Sequence, residues 1–120
     1  MMAGMLVLVM LFTVALGLAN GSNFLKGIRK PMVIGAHFLL GATTFELVLL
    51  LLRGTPNSDA IRPGSFGTYA AALVAAALVM GVVGGLMGGR KHPQTGVALA
   101  AHAAFGGLAF ILVMAWVLTA

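Results

Sequence analysis

Four stretches of roughly twenty apolar residues, joined by short basic connectors, constrain this chain more than any other feature. They cover about residues 2–19, 31–52, 66–86 and 95–120. As helices, each is long enough to cross about 30 Å of hydrocarbon. Strands are a poor alternative, because no segment alternates polar and apolar residues and an open sheet cannot span a bilayer. Composition points the same way. Of 120 residues, 61% are hydrophobic, seven are basic and two acidic. A water-soluble domain of this length would have to expose most of that apolar surface, and a disordered chain would carry far less of it. The expectation is therefore an all-α integral membrane four-helix bundle, a single transmembrane domain over residues 1–120.

The connectors set the topology. Residues 20–30 hold Lys26, Arg29 and Lys30; residues 53–65 hold Arg53, Asp59 and Arg62; residues 89–94 hold Arg90, Lys91 and His92. The first and third carry basic residues and no acid, so the positive-inside rule places them in the cytoplasm and both termini outside, as in a bacterial inner membrane. The net charge of +5 lies in these connectors, where it serves topology and lipid headgroups, and implies no nucleic-acid partner. The first segment lacks a positive n-region, so it is expected to be a retained helix and not a cleaved signal. Without cysteine there is no thiolate metal site and no covalent c-type haem attachment. No soluble substrate site is evident, so the chain is not expected to be an enzyme by itself. Chemistry belongs inside the bundle or at its rims, with the bilayer and other membrane subunits as partners.

An offset of 65 residues superimposes the second and fourth segments. His37, Gly41, Phe45, Leu47 and Val48 fall on His102, Gly106, Phe110, Leu112 and Val113, and Ala36 falls on Ala101. Each segment follows a basic connector with a proline, at Pro31 and Pro93. The chain thus reads as two repeated helical hairpins related by a pseudo-twofold axis along the membrane normal. At about 100° per residue, His, Gly four residues on, Phe eight on and Val eleven on share one helix face. A ring nitrogen, a glycine that admits a flat ligand and an aromatic that packs its edge suit the wall of a macrocycle pocket. Close helix packing around glycine and a Phe-filled core explain the same pattern without a ligand.

Imidazoles inside hydrocarbon must satisfy their ring nitrogens, so His37 and His102 are the candidate metal ligands. The repeat puts them at one depth on non-adjacent helices. A b-type haem fits between them by axial ligation from opposite sides, lined by Gly41, Gly106, Phe45 and Phe110. Its propionates would face a rim bearing Arg29, Lys30, Arg90 and Lys91. Topology alone also accounts for that basic rim.

Two intramembrane histidines on the second and fourth of four helices, with Gly41 and Gly106 beside them, resemble the four-helix core of membrane b-type cytochromes. Many of those carry two haems on four histidines. This chain has two such residues, with His92 in a connector, so the resemblance implies one haem and a role in electron transfer or as an anchor subunit of a larger redox or photosynthetic complex.

Other readings stay open. The subunit could hold no cofactor, with the histidines bonded across helices. A histidine could instead hold the magnesium of a chlorophyll or bacteriochlorophyll; Ala98, four residues before His102, has the small-residue spacing of light-harvesting helices, whereas Val33 stands before His37. Glu46 lies nine residues after His37, about 180° around the helix, so it is expected to face away from the histidine pocket and meet Arg53 or a neighbouring subunit. Glycines 81, 84 and 85 permit close packing of the third segment. Tyr69 and Trp116 are expected at the outer interface.

Overall fold

The computed structural model describes residues 1–54, 66–87 and 93–119. They form four helices: α1 (Met2–Leu25), α2 (Pro31–Arg53), α3 (Phe66–Met87) and α4 (Thr95–Thr119). All four are long and apolar enough to cross a membrane, and no strand occurs among the described residues. The bundle is all-helical, as the apolar segments dictate: a helix that is apolar all round satisfies its own backbone and presents a lipid-compatible surface.

Three of the four helices match their expected spans closely, while α1 runs about a turn and a half further than residue 19. Asn20, Gly21, Ser22 and Asn23 read as a polar break, yet they continue the helix. The real stop is Gly27, at φ +68°. Its N–H bonds the Phe24 carbonyl at 3.0 Å and the Ile28 N–H bonds the Asn23 carbonyl at 2.8 Å, the paired bonds of a Schellman cap. Pro31 opens α2, and Lys30 before it is extended, φ −115° and ψ 95°, as a pre-proline residue must be. A short connector therefore folds α2 back along α1. Arg29 also reaches across to α3, its Nη2 donating to the Gly85 carbonyl at 3.3 Å, which ties this connector to the C-terminal end of α3.

Around the bundle α1 packs on α2, α2 on α3 and α3 on α4. The α4–α1 seam closes the ring and is the thinnest; α2 and α4 stand across a diagonal. The half of the bundle where α2 and α4 end is a dry core of Leu6, Met10, Leu47, Val48, Ala70, Val74, Ala109, Val113 and Trp116. Trp116 was expected at the interface, but it is only 8% exposed. A Cβ on Gly67 would lie 2.9 Å from its Cε2, so a missing side chain on α3 creates the slot that the indole fills. Tyr69 is exposed. Gly84 likewise serves packing within the chain, since a Cβ there would meet Leu99 Cδ2 at 2.7 Å.

The two hairpins repeat in three dimensions. Leu6 and Met10 of α1 and Ala70 and Val74 of α3 are buried at an offset of 64; Thr44 and Val48 of α2 and Ala109 and Val113 of α4 are buried at an offset of 65. One extra residue between α3 and α4 accounts for the change of offset.

Candidate functional site: two histidines facing across the bundle

Below the dry core, toward the end where α2 and α4 begin, the interior turns polar. Thr44, almost fully buried, donates its hydroxyl to the Leu40 carbonyl at 2.9 Å and lies 3.2 Å from the Thr13 hydroxyl, which donates to the Val9 carbonyl at 2.8 Å. About two turns further along lie His37 and His102, both half-buried. His37 is the seventh residue of α2 and His102 the eighth of α4, which puts both about 10 Å from the helix starts, at matching depth. Nearer that end, Asn20 Nδ2 donates to the Val33 carbonyl at 3.4 Å.

The rings meet across the α2–α4 diagonal. Their Nε2 atoms are 3.4 Å apart; their centroids are 5.6 Å apart and their planes 85° from parallel. Each ring is held from behind by the helix before it in its own hairpin. His37 Nδ1 bonds the Thr13 carbonyl of α1 at 2.9 Å, and His102 Nδ1 bonds the Ala77 carbonyl of α3 at 2.6 Å. Four residues beyond each carbonyl is a glycine on which the ring lies: a Cβ on Gly17 would be 2.9 Å from His37 Cε1, and one on Gly81 would be 2.9 Å from His102 Nδ1.

The tautomers follow from these partners. A carbonyl oxygen only accepts, so each Nδ1 carries the hydrogen, and each Nε2 of a neutral imidazole is then a bare acceptor. Two acceptors face each other at 3.4 Å. With both rings neutral, their lone pairs repel. The arrangement becomes favourable with a positive centre between them, either a proton or a metal ion. Among the described residues no group of three or more His, Cys, Asp or Glu could hold a metal. A bare transition ion generally takes about four ligands from the protein or water. A macrocyclic metal brings four ring nitrogens of its own and asks only for axial donors.

The carbonyl–glycine pairs, Thr13 with Gly17 and Ala77 with Gly81, escaped the sequence reading, which compared only the second and fourth segments. The signal was present. At an offset of 64, Gly17 and Gly21 fall on Gly81 and Gly85.

The remaining candidates take varied places. A Cβ on Gly41 would meet Leu78 Cδ2 at 3.2 Å, while its repeat partner Gly106 has nothing within 4 Å; the two equivalent positions differ in open space. Phe45 and Phe110 pack against the dry core, part-buried. Arg29 and Lys30 are exposed at the near rim. Arg90, Lys91 and His92 lie outside the described residues. Glu46 is exposed on α2.

No family model, curated protein or solved structure matches the chain. Function must be argued from the site itself.

Proposed function

We propose that this chain is a small membrane subunit that binds one b-type haem between His37 and His102 and serves electron transfer, or anchors a partner, in a larger redox or photosynthetic complex. The observation that carries the reading is the pair of Nε2 atoms facing each other at one depth, each ring fixed by its own backbone carbonyl. A histidine whose Nδ1–H is held by a carbonyl presents its Nε2 in a fixed direction, the usual arrangement for a metal ligand. When bound, haem supplies one-electron chemistry. The chain's own residues hold and orient it. His37 and His102 would hold the group through their Nε2 atoms, which face each other 3.4 Å apart. Gly106 leaves its helix face open one turn from His102, while Gly41 lies under Leu78. Arg29 and Lys30, exposed at the nearer rim, suit pairing with propionates, with Arg90 and Lys91 as further candidates. The basic connectors favour a cytoplasmic rim in a bacterial inner membrane, with both termini outside.

A second reading has one observation in its favour. The 3.4 Å separation lies within reach of a shared proton, which makes a cofactor-free subunit whose histidines bond across the bundle. A chlorophyll or bacteriochlorophyll is less suited, because one axial histidine on magnesium leaves the facing acceptor unpaired.

Absorbance of the full chain, purified from membranes of haem-replete cells, decides between them. A Soret band with α and β bands that sharpen on reduction, at one haem per chain, is the expected result. A colourless protein overturns the haem reading, and an extractable chlorin replaces it.

A further inference from the structure

The side of α2 turned away from the histidines carries Glu46, the one acid among the described residues. Leu39, Thr43, Glu46, Leu50 and Arg53 are all exposed, and they recur alternately at four and three residues. That is the spacing of a seam that receives a second helix along its length. Thr43 is satisfied within α2, its hydroxyl donating to the Leu39 carbonyl at 2.9 Å. Glu46 is different. Arg53 stands on the same face, yet no ion pair joins Glu46 to it or to any other described residue. Seven residues separate the two, so Glu46 lies about 10 Å inside the outer end of α2. Its side chain is too short to reach water from there as a lysine or arginine would. A carboxyl facing lipid at that depth is expensive, whether ionised or left without a hydrogen-bond partner.

We infer that this face is a docking seam for one transmembrane helix of a different membrane subunit, which presents a lysine or arginine at the depth of Glu46 and apolar side chains a turn to either side. Charge decides against a second copy of this chain. A pair related by an axis along the membrane normal sets each seam residue against its own counterpart. Glu46 would then meet Glu46, and Arg53 would meet Arg53. A heterologous helix with a base at the inner position and an acid or headgroup at the rim complements both charges. This inference is independent of haem: a colourless protein would leave it standing, and a haem protein could still fail it.

The absence of cysteine makes the test clean. Leu39→Cys and Leu50→Cys each introduce a single thiol on the seam, and Ile111→Cys introduces one on the exposed surface of α4. Each variant is labelled with a photoreactive maleimide in native membranes and irradiated, and adducts are identified by mass spectrometry. The expected product appears from both seam positions and not from Ile111→Cys. Its second peptide is an apolar segment of another protein with a lysine or arginine at the depth of Glu46. In a Glu46→Lys background the yield falls about tenfold or more, and in Glu46→Gln about threefold. Helicity by circular dichroism confirms that each variant folds, and where Glu46→Lys does not, the Glu46→Gln arm decides. An adduct at twice the mass of this chain overturns the proposal, as do adducts with lipid only, a partner segment lacking a basic residue, or yields insensitive to position 46.

Discussion

The two glycines behind the histidines invite a controlled perturbation, Gly81→Ala. The added carbon would lie 2.9 Å from His102 Nδ1 and 3.0 Å from Cε1. Ordinary contact between such atoms begins near about 3.5 Å, so the imidazole must retreat by roughly half an ångström from α3. That movement stretches the 2.6 Å bond to the Ala77 carbonyl. Overpacking of this size costs about 1–3 kcal/mol, and a weakened hydrogen bond adds up to about 1 kcal/mol. Against this stands the gain in helix propensity from glycine to alanine, about 0.5–1 kcal/mol. Gly85→Ala, one turn on in the same helix, cancels that last term. A Cβ there meets nothing within 4 Å. The same comparison runs in α1, where Gly17 touches His37 and Gly21 touches nothing. Unfolding of the purified chain in mixed micelles reads the difference. Gly81→Ala should fall below Gly85→Ala, and Gly17→Ala below Gly21→Ala, each by about 1–3 kcal/mol. Equal stabilities within either pair would refute the packing of the rings on these glycines, and with it the account of how their direction is set.

Further outcomes follow from the same geometry. On the haem proposal, His37→Ala and His102→Ala should each abolish the Soret band, while His92→Ala keeps it; loss from all three would contradict the ligand assignment. Trp116→Ala should destabilise the bundle by about 3–5 kcal/mol as a core deletion; a change within about 0.5 kcal/mol would return Trp116 to the surface.

The number of helices and their transmembrane nature were legible in the chain because lipid leaves an apolar twenty-residue segment one way to satisfy its backbone, and that constraint acts within each segment alone. The pairing of His37 with His102 was legible for a related reason. A duplicated hairpin places equivalent residues at equal depth, whatever the fine packing. The end of α1 was also written locally, in Gly27, but a run of small polar residues masked it: Asn20 to Asn23 are poor helix formers that here cost little, with the helix closed by a Schellman cap further on. What only the tertiary structure decided is which surfaces meet. Trp116 went inside because Gly67 on another helix leaves room for it. The histidines became facing acceptors because carbonyls of α1 and α3, which have no side-chain signature, take their Nδ1 hydrogens. Gly41 and Gly106 parted company because Leu78 covers one and no side chain covers the other. Backbone acceptors and the space left by a missing side chain belong to pairs of helices, and no single segment of the sequence encodes them.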